Sequence, residues 1–265
     1  MQDLKYHTEL RTRHVSKVFG GLVANSAIDF HIYPGEIVAI IGPNGSGKTT
    51  FYNMVTGISP ASSGRIWFED EDITKKSPEY ITKLGVARTF QNIRLFGNMT
   101  VADNLIIARH CRRKTGIFDS LFNTAAFRLE EAETQAFIDN CLSYVGILDK
   151  KYELARNLPY GMQRRLEIAR ALATEPSLLL LDEPAAGMNP HESDEIMEII
   201  LRLKHDHYTI ILIEHSMRLV MRIADRVVVL DHGLKIADGT PDEVRSDPAV
   251  VEAYLGREAQ TDEHS

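Results

Sequence analysis

Apolar residues recur along this chain with two periods, and the alternation between them lays out the architecture. Ile28-Asp29-Phe30-His31-Ile32-Tyr33 alternates apolar with polar, which predicts a half-exposed antiparallel strand closed by Pro34-Gly35. Residues 10–16 form a weaker strand candidate, and Arg65-Ile66-Trp67-Phe68 another. The stretches 36–41, 178–181, 209–213 and 227–230 are instead nearly unbroken apolar runs, the pattern of strands buried on both faces of a parallel sheet. Helical stretches precede the later runs, as right-handed crossovers require, and a turn at Asp231-His232-Gly233 leads into a further run at 234–237. From about 100 to 157 the strand signals stop. Thr100-Val101-Ala102-Asp103 resembles a capping box, and Leu129, Ala132, Ala136, Phe137, Cys141 and Tyr144 set an apolar stripe down a second helix. Thr240-Pro241-Asp242-Glu243 is a capping box with Pro at the first helical position. A last helix over 248–255 should end at Gly256, leaving 257–265 as a polar tail expected to fray. The expectation is one α/β domain over 1–256, with a mostly parallel sheet, an N-terminal antiparallel β subdomain and a helical lobe inserted at about 100–157.

The run 36–41 opens directly into Gly42-Pro43-Asn44-Gly45-Ser46-Gly47-Lys48-Thr49-Thr50, after which 49–55 reads as a helix stopped by Gly57. A strand, then G-x-x-x-x-G-K-T, then a helix is the context in which a glycine-rich turn becomes a socket for a nucleotide's phosphates. Gly42, Gly45 and Gly47 let consecutive N–H groups converge on a phosphate at the positive end of the helix. Lys48 would supply a point charge to the β- and γ-phosphates. The Thr49 hydroxyl would ligate Mg²⁺, an ion that keeps several waters and takes one or two protein oxygens.

A second signal is the run 178–181 ending in Asp182-Glu183, which places two carboxylates at the carboxyl edge of a central strand, where α/β sheets bind ligands. Asp182 would hold Mg²⁺, and Glu183 would polarise the attacking water. His215 follows the run 209–213 at the same edge, within reach of a γ-phosphate. The Gln91 amide, in Arg88-Thr89-Phe90-Gln91-Asn92, is able to serve both metal and water. Phe19, in Lys17-Val18-Phe19-Gly20-Gly21, sits in a turn where its ring would stack on a base; on spacing alone it reads as a core residue.

A formal net charge of −7 argues against a surface shaped for phosphate backbones, so nucleic acid is not an expected partner. The two cysteines, Cys111 and Cys141, have no C-x-x-C spacing and read as neutral thiols. No run approaches the ~20 apolar residues of a membrane span, and residues 1–10 lack a signal-peptide core, so a soluble, cytoplasmic protein is expected. The basic, then aromatic-rich segment from Arg112 to Phe122 would suit either a membrane surface or partner, or the local packing of a short helix.

Taken with Leu158-Pro159-Tyr160-Gly161-Met162-Gln163-Arg164-Arg165-Leu166, these motifs resemble, in order, those of ATP-binding cassette (ABC) ATPases, over about 10–256. Several stretches resemble the larger ATPase subunit of bacterial branched-chain amino acid importers: Arg88-Thr89-Phe90-Gln91-Asn92-Ile93-Arg94-Leu95-Phe96, Lys114-Thr115-Gly116-Ile117-Phe118, Leu166-Glu167-Ile168-Ala169-Arg170, Ala185-Ala186-Gly187-Met188-Asn189-Pro190 and Tyr254-Leu255-Gly256. The resemblance implies ATP and Mg²⁺ as ligands, with Thr49, Gln91 and Asp182 at the metal. It makes Phe19 the adenine-stacking ring, reversing its reading from spacing. Gln91 becomes the sensor toward the membrane subunit, Glu183 the catalytic base and His215 the switch at the γ-phosphate. It also implies a head-to-tail ATPase dimer at the cytoplasmic face of the membrane, driving permease subunits.

Two departures from the family pattern stand out. Leu158-Pro159-Tyr160-Gly161-Met162 replaces the usual L-S-G-G-Q signature, and Asn189 replaces an acidic residue in the loop 186–189 that crosses the dimer interface. Without the signature hydroxyl, pairing with a second, non-identical ATPase is favoured. Other readings remain: an ABC ATPase for another amino acid or a lipid, a soluble one in DNA repair or translation, and a non-hydrolytic nucleotide-binding regulator.

Overall fold

The computed structural model describes residues 9–113 and 124–261. The half-exposed strands pair first. β1 (Leu10–Phe19), β2 (Leu22–Ile32), β4 (Ser63–Phe68) and β5 (Glu71–Asp72) form an antiparallel sheet in the order β2-β1-β4-β5. The second sheet runs β10-β9-β3-β8-β7-β6, built from β3 (Ile37–Ile41), β6 (Val86–Arg88), β7 (Leu178–Asp182), β8 (Thr209–Ile213), β9 (Arg226–Asp231) and β10 (Leu234–Gly239). Its neighbours are parallel except for the edge strand β10. The fold is α/β, as the periodicities predict.

Continuous apolar runs are required because successive side chains leave a strand on opposite faces. Along β7, Leu178 and Leu180 enter the core shared with the antiparallel sheet, where Leu10, Ile28, Phe30, Ile66 and Phe68 meet them. Leu179 and Leu181 face the other way, into a core shared with the helices. Those helices are α3 (Val101–Arg109), α4 (Ala125–Tyr144), α5 (Tyr160–Leu172) and α6 (Pro190–His205). A third cluster joins Ala39 and Ile41 of β3 to Val244 of α8 (Pro241–Ser246) and Val250 of α9 (Pro248–Thr261).

Capping boxes at Thr100/Asp103 and Thr240/Glu243 start α3 and α8 as expected, and a third, Asn189/Glu192, starts α6. The C-terminal expectation needs correction, since α9 runs through Gly256 to Thr261. A mid-helix glycine costs only about 1 kcal/mol, and Arg257, Glu258, Ala259 and Gln260 after it are good helix formers. Of the basic-aromatic segment, 114–122 lies outside the described residues. Arg112 is engaged structurally, donating to the carbonyls of Thr174 at 2.6 Å and Lys83 at 2.9 Å.

Candidate active site

Sheet register decides what meets what. Asp182 lies beside Ile213, and Ile41 beside Val229, so the segments that follow β3, β7 and β8 leave the sheet at one edge. The phosphate loop comes first. Gly42 has φ +146 and sits so close to the Leu230 carbonyl that a Cβ would collide with it. Gly47, at φ +103, is the N-cap of α1 (Lys48–Val55), and a Cβ there would strike Asn25 and Ala24. Both positions require glycine. The Lys48 ammonium spans the loop, donating to the carbonyls of Gly42 at 2.7 Å and Pro43 at 3.0 Å.

Asp182 is buried, and Arg88, whose side chain is only 7% exposed, donates to its Oδ2 at 2.9 Å. Burial raises the Asp182 pKa above the usual carboxylate range, with Arg88 opposing it. Its Oδ1 is buried without a hydrogen-bond partner, the condition a cation would relieve. Glu183 takes a left-handed φ of +48, rare for a residue with a side chain, and its N–H still bonds Ile213 across the sheet at 3.0 Å. Its carboxylate is then held from both sides: His215 Nε2 lies 2.7 Å from Oε1, and Gln91 Nε2 donates to Oε2 at 3.1 Å. Three residues singled out separately in the sequence therefore form one constellation.

They share a cavity of about 470 Å³ with Phe19 and with the loop from Asn44 to Thr50. Phe19 ends β1 rather than sitting in a turn, and it is 49% exposed, so its core reading from spacing fails. Lys17 Nζ stands 4.9 Å from the centre of its ring. The signature stretch lies apart from this cavity. Leu158 is buried, Pro159 is the N-cap of α5 without a side-chain cap bond, and Gly161 is buried. Met162 packs on the helical core. The Tyr160 ring leans on the chain's own loop, its hydroxyl donating to the Ala186 carbonyl at 3.1 Å.

The structure adds residues that sequence reasoning missed. Arg164 and Glu167 are both buried and pair at 2.9 Å; Arg164 also donates to the carbonyls of Phe90, at 2.6 Å, and Gln91, fixing the loop that carries Gln91. The available signal was two opposite charges three apart on an otherwise core-facing helix. Glu214 is buried and accepts the N–H groups of Ala185 and His215, at 3.4 and 3.2 Å, tying together the segments that carry Glu183 and His215. Burial raises its pKa as well. A charge directly after the apolar run of β8 was its only trace.

A glycine-rich loop at a helix N-terminus on one wall of the cavity and a carboxylate at a strand end on the other are the layout of a P-loop nucleotide hydrolase. Within that class, the ABC transporter family matches residues 26–186, and the chain belongs to it. A further family, described as branched-chain amino acid ATP-binding cassette transporter, matches residues 235–260. The chain is 46% identical over 239 residues to the high-affinity branched-chain amino acid transport ATP-binding protein LivG of Escherichia coli K12, covering 90% of this chain and 94% of that one. It is 44% identical to the corresponding BraF of Pseudomonas aeruginosa, with the same coverage. Among solved structures, the ADP conformation of an ATP-binding cassette of an ABC transporter superposes with a TM-score of 0.82 at 36% identity, covering 94% of this chain and 99% of that one.

Proposed function

We propose that this chain is the ATP-hydrolysing subunit of an importer of branched-chain amino acids, working at the cytoplasmic face of the membrane beneath permease subunits. The observation that carries the hydrolytic part is the Glu183 carboxylate, held between His215 and Gln91 on the rim of the cavity that contains the phosphate loop. The cargo follows from the relatives, since a cytoplasmic ATPase need not touch what is transported.

In this reading adenine stacks on the open face of Phe19, and the loop amides with Lys48 cradle the β- and γ-phosphates. Glu183 accepts a proton from the water that attacks the γ-phosphorus in line, and the bond to the leaving ADP oxygen breaks. His215 orients that carboxylate and meets the γ-phosphate. The residues fit Mg²⁺: Thr49 and Asp182, whose Oδ1 is buried without a partner, would hold it with Gln91 nearby. When bound, the ion would neutralise charge on the phosphate oxygens.

The signature supports a head-to-tail pairing with a second, non-identical ATPase. Pro159 offers neither hydroxyl nor N–H to a phosphate across the interface, so a homodimer would carry the defect twice. The cargo is tested by reconstituting the chain with its permease subunits and assaying uptake of a panel of amino acids. ATP-dependent uptake of leucine, isoleucine and valine supports the reading; uptake confined to unrelated amino acids or to lipid overturns the cargo while leaving the ATPase.

A further inference from the structure

Phe19 is exposed, yet it stands beside a buried lysine that the chemistry above does not use. Pairing of β1 with β4 ends at Ser16 and Ser63, and beyond it β1 keeps only β2, as far as Phe19 opposite Leu22. This overhang is stitched to the loop that enters β4: the Ser62 N–H donates to the Ser16 carbonyl at 2.8 Å, and the Val18 N–H donates to Ser62 Oγ at 3.0 Å. The Lys17 side chain adds to the stitching, its Nζ donating to the Pro60 carbonyl at 2.6 Å. From that anchor the same Nζ stands over the Phe19 ring, 4.9 Å from its centre, within the range of a cation–π contact. The Phe19 ring lines the cavity that holds the phosphate loop, whereas Lys17 is not part of that lining, so the ammonium meets the ring without taking the space open to a ligand. A methionine would fill a similar volume without the cost of burying a charge, so packing alone does not account for Lys17.

The geometry points to Lys17 as a positioning residue for nucleotide binding: its ammonium, held on the Pro60 carbonyl, fixes the half-exposed ring of Phe19 in the pose that stacks on a base. A ring 49% exposed at a strand end would otherwise lose rotamer freedom each time a ligand stacks on it, and an orientation fixed beforehand removes that cost from binding. The inference rests on the stacking role proposed for Phe19 and adds how that ring is held.

The test titrates ATP, and inorganic tripolyphosphate as the phosphates without the base, into the parent, Lys17→Met, Lys17→Arg, Phe19→Ala and the double variant, each shown to be folded by circular dichroism. Lys17→Met should weaken ATP binding about 2–5-fold and leave tripolyphosphate unchanged, Lys17→Arg should recover most of the loss, and Lys17→Met should add nothing in the Phe19→Ala background. Parental ATP affinity in Lys17→Met, equal weakening of ATP and tripolyphosphate, or a loss that adds to that of Phe19→Ala would overturn the proposal. Phe19→Ala decides the stacking role separately: unchanged ATP affinity there removes both readings, whereas a loss seen in Phe19→Ala and not in Lys17→Met keeps the stacking and removes only Lys17. If Lys17→Met does not fold, NMR of the parent protein decides: the ring current of Phe19 should move the Lys17 Cε protons upfield, a shift absent in Phe19→Ala, and Cε protons at the position of an unshielded lysine contradict the proposal.

Discussion

Held between His215 and Gln91, the Glu183 carboxylate has the one property that glutamine of the same shape lacks, basicity. Glu183→Gln should therefore bind ATP like the parent and lose about 10²–10⁴-fold in turnover within the assembled transporter. Hydrolysis at the parental rate would show that another group takes the proton. Phe19 presents an exposed ring to the same cavity, where the proposed role is stacking on adenine. Base stacking on an aromatic contributes ~1–3 kcal/mol in nucleic-acid binding proteins, so Phe19→Ala should weaken ATP binding by roughly ten-fold, read by nucleotide titration. The cysteines differ for the same reason of surroundings. Burial pushes the Cys141 thiol up to about 12, which leaves a thiolate fraction of only about 10⁻⁴ at pH 8, whereas Cys111 is partly exposed. Alkylation followed by mass spectrometry should label Cys111 in the native protein and Cys141 only in denaturant.

Helix α5 links two functional stretches, because the signature begins it and the loop carrying Gln91 hangs from its middle. Arg164 donates to two carbonyls of that loop while neutralising the buried Glu167, whose pKa burial raises and Arg164 lowers. Arg164→Met would leave the buried Glu167 without its ion-pair partner, with only the long backbone donations from Phe90 and Arg94 at 3.4 Å, and breaking such a buried pair costs about 3–5 kcal/mol. Adding Glu167→Met should recover part of that loss, since removing both charges leaves no unpaired one. Urea unfolding of the two variants measures the difference; equal stabilities would mean that Glu167 is satisfied by other donors. At the start of α6, Asn189 departs from the family's acidic residue, yet it caps the helix fully, because an asparagine oxygen accepts a backbone N–H as well as a carboxylate does.

At the scale of the assembly, the altered signature predicts asymmetry. In a heterodimer, the site built on this chain's Lys48 and Glu183 would be completed by the partner's signature, and the partner's site by Pro159 and Tyr160. Disabling one catalytic glutamate at a time should show that loss of Glu183 removes most hydrolysis and loss of the partner's glutamate removes less. Equal losses, or the reverse order, would mean that the Gly161 N–H and the helix dipole suffice without a hydroxyl.

The sequence by itself determined what is covalently local. The phosphate loop, the Asp182-Glu183 strand end, the capping boxes of α3 and α8, and the two-faced burial of the central strands all lie within a few consecutive residues, so backbone conformation and side-chain period settle them. The tertiary structure alone decided what register brings together. Arg88 meets Asp182 across 94 positions, and Gln91, His215 and Glu183 converge only because β6, β7 and β8 end at one edge. Phe19 is exposed because β1 runs past the end of β4 and pairs there only with β2, and Val250 and Tyr254 meet Ala39 and Ile41 because α9 packs on the core beside β3. Such contacts join residues distant along the chain, and local periodicity carries no record of which distant segment will supply the partner.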